Sequence, residues 1–125
     1  MTGAGHDETI VLIEDDPDIA ALVRGILADA GHGVAVRSEL GSGMADPAVR
    51  LVITDLVGIR SYNENAARDW IAKVRQRFPA AAVVVATAHG PAATAGPQAL
   101  GADAVLAKPF DVDRFGEIVE SLLDR

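Results

Sequence analysis

Ile10-Val11-Leu12-Ile13-Glu14-Asp15-Asp16-Pro17 joins four apolar residues to three acids and a proline. The apolar run is short and does not alternate, so with Thr9 it reads as a buried strand, Thr9–Ile13. Pro17 fits the first turn of a following helix, where its missing N–H costs nothing. Ile19, Leu22, Val23, Ile26, Leu27 and Ala30 then recur at spacings of three and four, which gives that helix one apolar face. Gly31 fits its C-terminal stop.

The same arrangement returns along the chain. Leu51–Thr54 is a buried strand that ends in Asp55. Ala81–Ala86 is the most apolar strand, and Thr87 follows it. Ala104–Ala107 is followed by Lys108-Pro109. Gly33–Arg37 is a weaker strand. Gly41, Gly43 and Pro47 leave room for only a short helix in Ser38–Pro47. Ile59–Asn65 is polar and aperiodic, and reads as a loop. Ala67, Trp70, Ile71, Val74 and Phe78 define an amphipathic helix ended by Pro79. In 89–99, Gly90, Pro91, Gly96 and Pro97 interrupt a region where a helix is expected. Asp111 can cap a last helix with an apolar face of Val112, Phe115, Ile118, Val119, Leu122 and Leu123. The order β-α-β-(α)-β-α-β-(α)-β-α, with strands too apolar for one-sided burial, predicts a doubly wound α/β sandwich around a parallel sheet.

The chain has 125 residues, the size of one domain. Residues 1–8 read as a flexible lead and 9–125 as the domain. Net charge is −7, which argues against direct nucleic-acid binding and against an anionic membrane surface. The absence of cysteine excludes disulfides, thiolate zinc sites and cysteine nucleophiles. The N-terminus lacks a signal-peptide pattern, and no apolar run approaches the roughly 20 residues of a membrane span, so a soluble cytoplasmic domain is expected. Glycine-rich phosphate loops, Gly-x-Ser-x-Gly elbows and His-Glu-x-x-His are missing, so hydrolase chemistry of those kinds has no support.

In an open parallel sheet the C-terminal strand ends share one edge, where ligands bind. That edge would gather Glu14, Asp15, Asp55, Thr87 and Lys108. Clustered carboxylates repel unless a cation neutralises them, and hard oxygen donors favour Mg²⁺. The plain alternative for Glu14–Asp16 is a helix start, where acids are favoured; it accounts for Asp16 better than for Glu14. Asp55 reads as a turn residue or, beside the other acids, as a metal ligand and a nucleophile that takes a phosphoryl group as an acyl phosphate. Thr87 can donate a hydrogen bond to a phosphoryl oxygen. Lys108 is either a surface lysine or an ammonium held at the sheet edge. His89 is either a loop residue or a group near the phosphoryl site. His6 and His32 lack partners at ligand spacing and read as surface residues.

In Ile10–Pro17, Leu51–Asp55, Thr87-Ala88, Gly101-Ala102-Asp103 and Lys108-Pro109-Phe110 together, residues 9–124 resemble the receiver domain of bacterial two-component response regulators, a CheY-like family. The resemblance implies a five-stranded parallel sheet of order 2-1-3-4-5 with five helices. It implies that Asp55 accepts a phosphoryl group from a sensor histidine kinase or phosphotransfer protein. It also implies a Mg²⁺ ion held by Asp15, Asp55 and the backbone carbonyl of Val57, with Glu14 acting through a water. Lys108 would pair with Asp55 and then with the phosphoryl group, and Thr87 would move to hydrogen-bond it. Such a domain is a phosphoacceptor rather than an enzyme. It signals to a downstream protein, and a homodimer through the family's helix 4–strand 5–helix 5 face is one arrangement the family allows.

Several features depart from that family. The stretch after Asp55 is longer than usual and lacks the usual Met-Pro. The second helix is reduced and the fourth irregular. The aromatic switch position falls on Val105, which has no ring. Signalling through an order change in the loop or fourth helix is the expectation that follows. Val57 and His89 occupy the positions that tune autodephosphorylation. Two other classes stand beside the phosphoacceptor reading. One is a receiver-like interaction module that works without phosphorylation. The other is a Mg²⁺-dependent aspartyl-phosphate phosphatase, which typically carries a second Asp where Val57 stands. A stand-alone regulator and one module of a larger protein both fit this reading.

Overall fold

The computed structural model describes residues 9–40, 44–56, 63–88, 90–108 and 111–124. Five strands form one parallel sheet: β1 (Ile10–Ile13), β2 (Val34–Arg37), β3 (Leu51–Thr54), β4 (Ala82–Thr87) and β5 (Ala104–Ala107). Their order is β2-β1-β3-β4-β5, as expected. The helices are α1 (Pro17–Asp29), α2 (Glu64–Arg77), α3 (Gly90–Ala95), α4 (Pro97–Leu100) and α5 (Val112–Leu123). None of the described helices is long and apolar enough to cross a membrane.

Because side chains alternate along a strand, each apolar run feeds two cores. Ile10, Leu12, Leu51, Ile53, Val84 and Ala86 meet Val23 and Leu27 of α1 and Phe115 and Val119 of α5. Val11, Ile13, Val52, Val83 and Val85 meet Ala67, Ile71 and Val74 of α2, together with Ala92 and Leu100. The central strands are therefore buried on both faces, which is why they do not alternate with polar residues. Each fully buried Val, Leu or Ile contributes about 1.5–3 kcal/mol.

Helix ends follow the local chemistry. Asp16 caps α1, accepting from the N–H groups of Asp18 and Ile19, and Asp111 caps α5 through Asp113 and Arg114. Gly31, at φ 91°, turns the chain out of α1.

Some expectations are corrected. Asn63 accepts from the Ala66 N–H and starts α2 at Glu64, so the predicted loop to Asn65 ends early. Thr87 closes β4 and Ala81 lies outside it. Leu22 and Val112, assigned to apolar faces, are 55% and 51% exposed. His32 has a partner after all: Nε2 lies 2.7 Å from Glu120 Oε1, tying the turn after α1 to α5.

The irregular fourth helix is found. Among the described residues no helix lies between β2 and β3. Instead, the Asp46 N–H donates to the Arg77 carbonyl at 2.8 Å, Arg77 Nη1 donates to the Met44 carbonyl, and Val49 is buried. The guanidinium groups of Arg37 and Arg77 approach the buried Phe78 ring at 5.9 and 5.0 Å from its centroid. Gly96, at φ 85° and ψ 170°, separates α3 from α4.

Candidate phosphoacceptor site

Backbone pairing runs past the strand ends and sets the geometry there. The Asp55 N–H donates to the Ile13 carbonyl at 2.9 Å, and the Lys108 N–H donates to the Thr87 carbonyl at 2.8 Å. Residues that follow β1, β3 and β5 thus meet at one edge, as the crevice rule for parallel sheets requires. Glu14, Asp15 and Asp55 each place a carboxylate oxygen within 4.8 Å of the others.

Lys108 joins them. Its Nζ donates to Glu14 Oε1 at 2.6 Å and lies 3.4 Å from Asp55 Oδ2. The expected Lys108–Asp55 pair is present, but the shorter contact is with Glu14. Glu14 is 4% exposed. Burial pushes its carboxyl above the ordinary range, and the Lys108 ammonium and the Asp16 N–H, which reaches Oε2 at 3.2 Å, pull the other way. Glu14 is therefore more than a helix-start acid, whereas Asp16 is accounted for by its cap.

Asp55 is held on several sides. Oδ1 accepts the Leu56 N–H at 2.8 Å, and Oδ2 faces Lys108. Thr54 Oγ1 donates to the Asp55 carbonyl at 2.6 Å and accepts from the Trp70 indole at 2.9 Å. Neither Thr54 nor Trp70 is a candidate on sequence grounds. A threonine in a strand and a tryptophan on an apolar helix face carry no signal of a shared hydrogen bond until the helix is docked. Thr87 is fully buried at the end of β4. Val105 is half-buried and packs against the core on the α2 side of the sheet. Val57, His89, Pro109 and Phe110 lie outside the described residues, as does the 1–8 lead.

The donor set suits a small hard cation. Three carboxylates converge and one ammonium contacts two of them, an excess of acid that a divalent cation would offset. All three donors are oxygens, as Mg²⁺ prefers, and a site of this openness leaves room for the waters that ion retains. Asp15 is exposed and Asp55 half-buried, so the cluster opens to solvent.

No family model matches the chain. The curated nitrogen assimilation regulatory protein NtrX of Azorhizobium caulinodans is 29% identical over 123 residues, 95% of this chain and 26% of that protein. A crystal structure of NtrX from Brucella abortus is 31% identical with a TM-score of 0.71, over 92% of this chain and 26% of that one. The response regulator receiver protein from Burkholderia phymatum is 26% identical with a TM-score of 0.67, over 92% of this chain and 94% of that one. The chain thus spans about a quarter of the length of the NtrX relatives and nearly all of the Burkholderia protein. With the strand order and the edge cluster, these likenesses establish that the chain has the CheY-like receiver fold of the response regulators.

Proposed function

We propose that the chain is a phosphoacceptor receiver domain, spanning 9–125, in which Asp55 takes a phosphoryl group with Mg²⁺ bound beside it. One observation carries this reading. An oxygen of Asp55 faces a lysine ammonium inside a group of three converging carboxylates. Asp55 Oδ2 is the attacking atom. It forms an O–P bond while the N–P bond of a donor phosphohistidine breaks, and the electron pair of that bond leaves with the imidazole. Asp15 and Asp55 would hold Mg²⁺, with Glu14 acting through a water, and the ion would neutralise the incoming phosphoryl oxygens. Lys108 supplies the remaining positive charge, and Thr87 is the hydroxyl nearest in sequence to the β4 edge. The role is that of a signalling domain rather than a turnover enzyme. The donor would be a histidine kinase or phosphotransfer protein in the cytoplasm. The recipient of the signal would be a protein, or a second copy of the chain.

The test is intact-protein mass after incubation with acetyl phosphate and Mg²⁺. A single phosphoryl adduct, lost in Asp55→Ala and in EDTA, is the expected result. A folded protein that binds Mg²⁺ yet takes no adduct overturns the proposal. It would favour an interaction module that works unmodified, a reading to which the lack of a helix between β2 and β3 among the described residues and the break at Gly96 lend support.

A further inference from the structure

Asp55 is anchored by a route that runs out of the site and into α2. Trp70 Nε1 donates to Thr54 Oγ1 at 2.9 Å, and Thr54 Oγ1 donates to the Asp55 carbonyl at 2.6 Å. The direction of this relay is fixed by chemistry. An indole N–H can only donate, so the hydroxyl must accept from it, and its single proton is left for the carbonyl. Thr54 is fully buried, so water does not compete for that proton.

The peptide unit between Asp55 and Leu56 is planar, with its C=O and N–H on opposite sides. Holding the carbonyl therefore also sets the direction of the Leu56 N–H. That N–H donates to Asp55 Oδ1 at 2.8 Å. The peptide is thus clamped at both ends, and the clamp selects which carboxylate oxygen is engaged. Oδ1 is tied to the backbone and Oδ2 is turned toward Lys108.

We infer that Trp70 is a positioning residue for Asp55: through Thr54 and the rigid Asp55–Leu56 peptide, its indole N–H holds the carboxylate with Oδ2 presented to the incoming group. This rests on the phosphoacceptor reading for its use, though not for its geometry. Trp70 never touches the reacting atoms. Its contribution is orientation, which sets how often the attacking oxygen is aligned.

The chain has one tryptophan, so its indole N–H gives a single NMR resonance. That resonance is recorded in the wild type, Asp55→Asn, Thr54→Val and the Thr54→Val/Asp55→Asn double variant. The relay predicts that Asp55→Asn shifts it, and that Thr54→Val abolishes the response to Asp55→Asn. The second readout is the initial rate of adduct formation from acetyl phosphate. Trp70→Phe keeps a ring in the core but removes the donor. It and Thr54→Val should slow that rate at saturating Mg²⁺ roughly three- to tenfold, the loss of about one hydrogen bond. Thr54→Ser should restore it. A resonance that ignores Asp55→Asn, or variants that match the wild-type rate, would overturn the inference. If the wild type takes no adduct while the resonance responds as predicted, the relay stands and the phosphoacceptor reading fails.

Discussion

Lys108 Nζ lies 2.6 Å from Glu14 Oε1 but 3.4 Å from Asp55 Oδ2. The ammonium is anchored on the buried acid, which leaves the Asp55 oxygen facing a positive charge without being consumed by a short ion pair. An internal cation so placed competes with a bound metal for the same carboxylates. Lys108→Met should therefore tighten Mg²⁺ binding by about tenfold, a modest share of the Coulomb energy of unit charges at this range, and suppress adduct formation. Isothermal titration would read the first effect, and a weaker Mg²⁺ affinity in the variant would count against the arrangement.

The two neighbouring acids Asp15 and Asp16 should separate cleanly. Asp16 is spent on capping α1, so Asp16→Ala should cost about 1 kcal/mol of stability and leave Mg²⁺ binding as it was. Asp15→Asn should leave stability unchanged within about 0.5 kcal/mol, since the side chain is exposed, and lose most of the metal affinity. Denaturation curves paired with Mg²⁺ titrations distinguish the two residues, and equal metal loss in both would show that the cap is not the role of Asp16.

Glu14 gives a pH dependence with a definite sign. Its carboxyl is raised above 4.5 in the folded protein, so the folded state holds that proton more tightly than the unfolded one. Stability from this group is present at low pH and is lost as pH rises from the unfolded value through the raised folded value. Glu14→Gln lacks the ionisation. In EDTA, the variant should thus gain on the wild type as pH climbs, then run parallel above the window. Curves parallel throughout would mean that Lys108 fully offsets burial.

Gly96 isolates a backbone effect. A Cβ added there would meet nothing within 4 Å, yet φ 85° and ψ 170° is a conformation that only glycine adopts readily. Gly96→Ala should cost about 1–3 kcal/mol from backbone strain alone, without a clash against the rest of the fold. The loss should appear as faster amide exchange in α3 and α4 before any change elsewhere. An unchanged midpoint would mean that the break between the two helices relaxes at no cost.

How much of this was legible beforehand depends on whether the signal is local. The strand-end acids are local: Ile13-Glu14-Asp15 and Thr54-Asp55 each announce a buried strand that stops at charge, and the sheet rule does the rest. The lack of a helix between β2 and β3 among the described residues was legible in Gly41, Gly43 and Pro47, and the broken fourth helix in Gly96-Pro97, because backbone restriction acts at the residue itself. What lay hidden were pairings between distant residues. His32 meets Glu120 across 88 positions, and Trp70 meets Thr54 across 16. In each case two unremarkable side chains acquire a role only from docking. The exposure of Leu22 shows the converse error, since periodicity places a residue on a face without saying how wide the covered stripe is.

The Glu14–Lys108 contact spans 94 positions and joins the first strand to the last. Glu14, Asp15 and Asp55 all precede β5 in the chain, and the compensating ammonium follows it. A chain cut before β5 keeps every carboxylate and lacks the cation that tempers them. On the phosphoacceptor reading, partly made or proteolysed copies would therefore be silent rather than miswired.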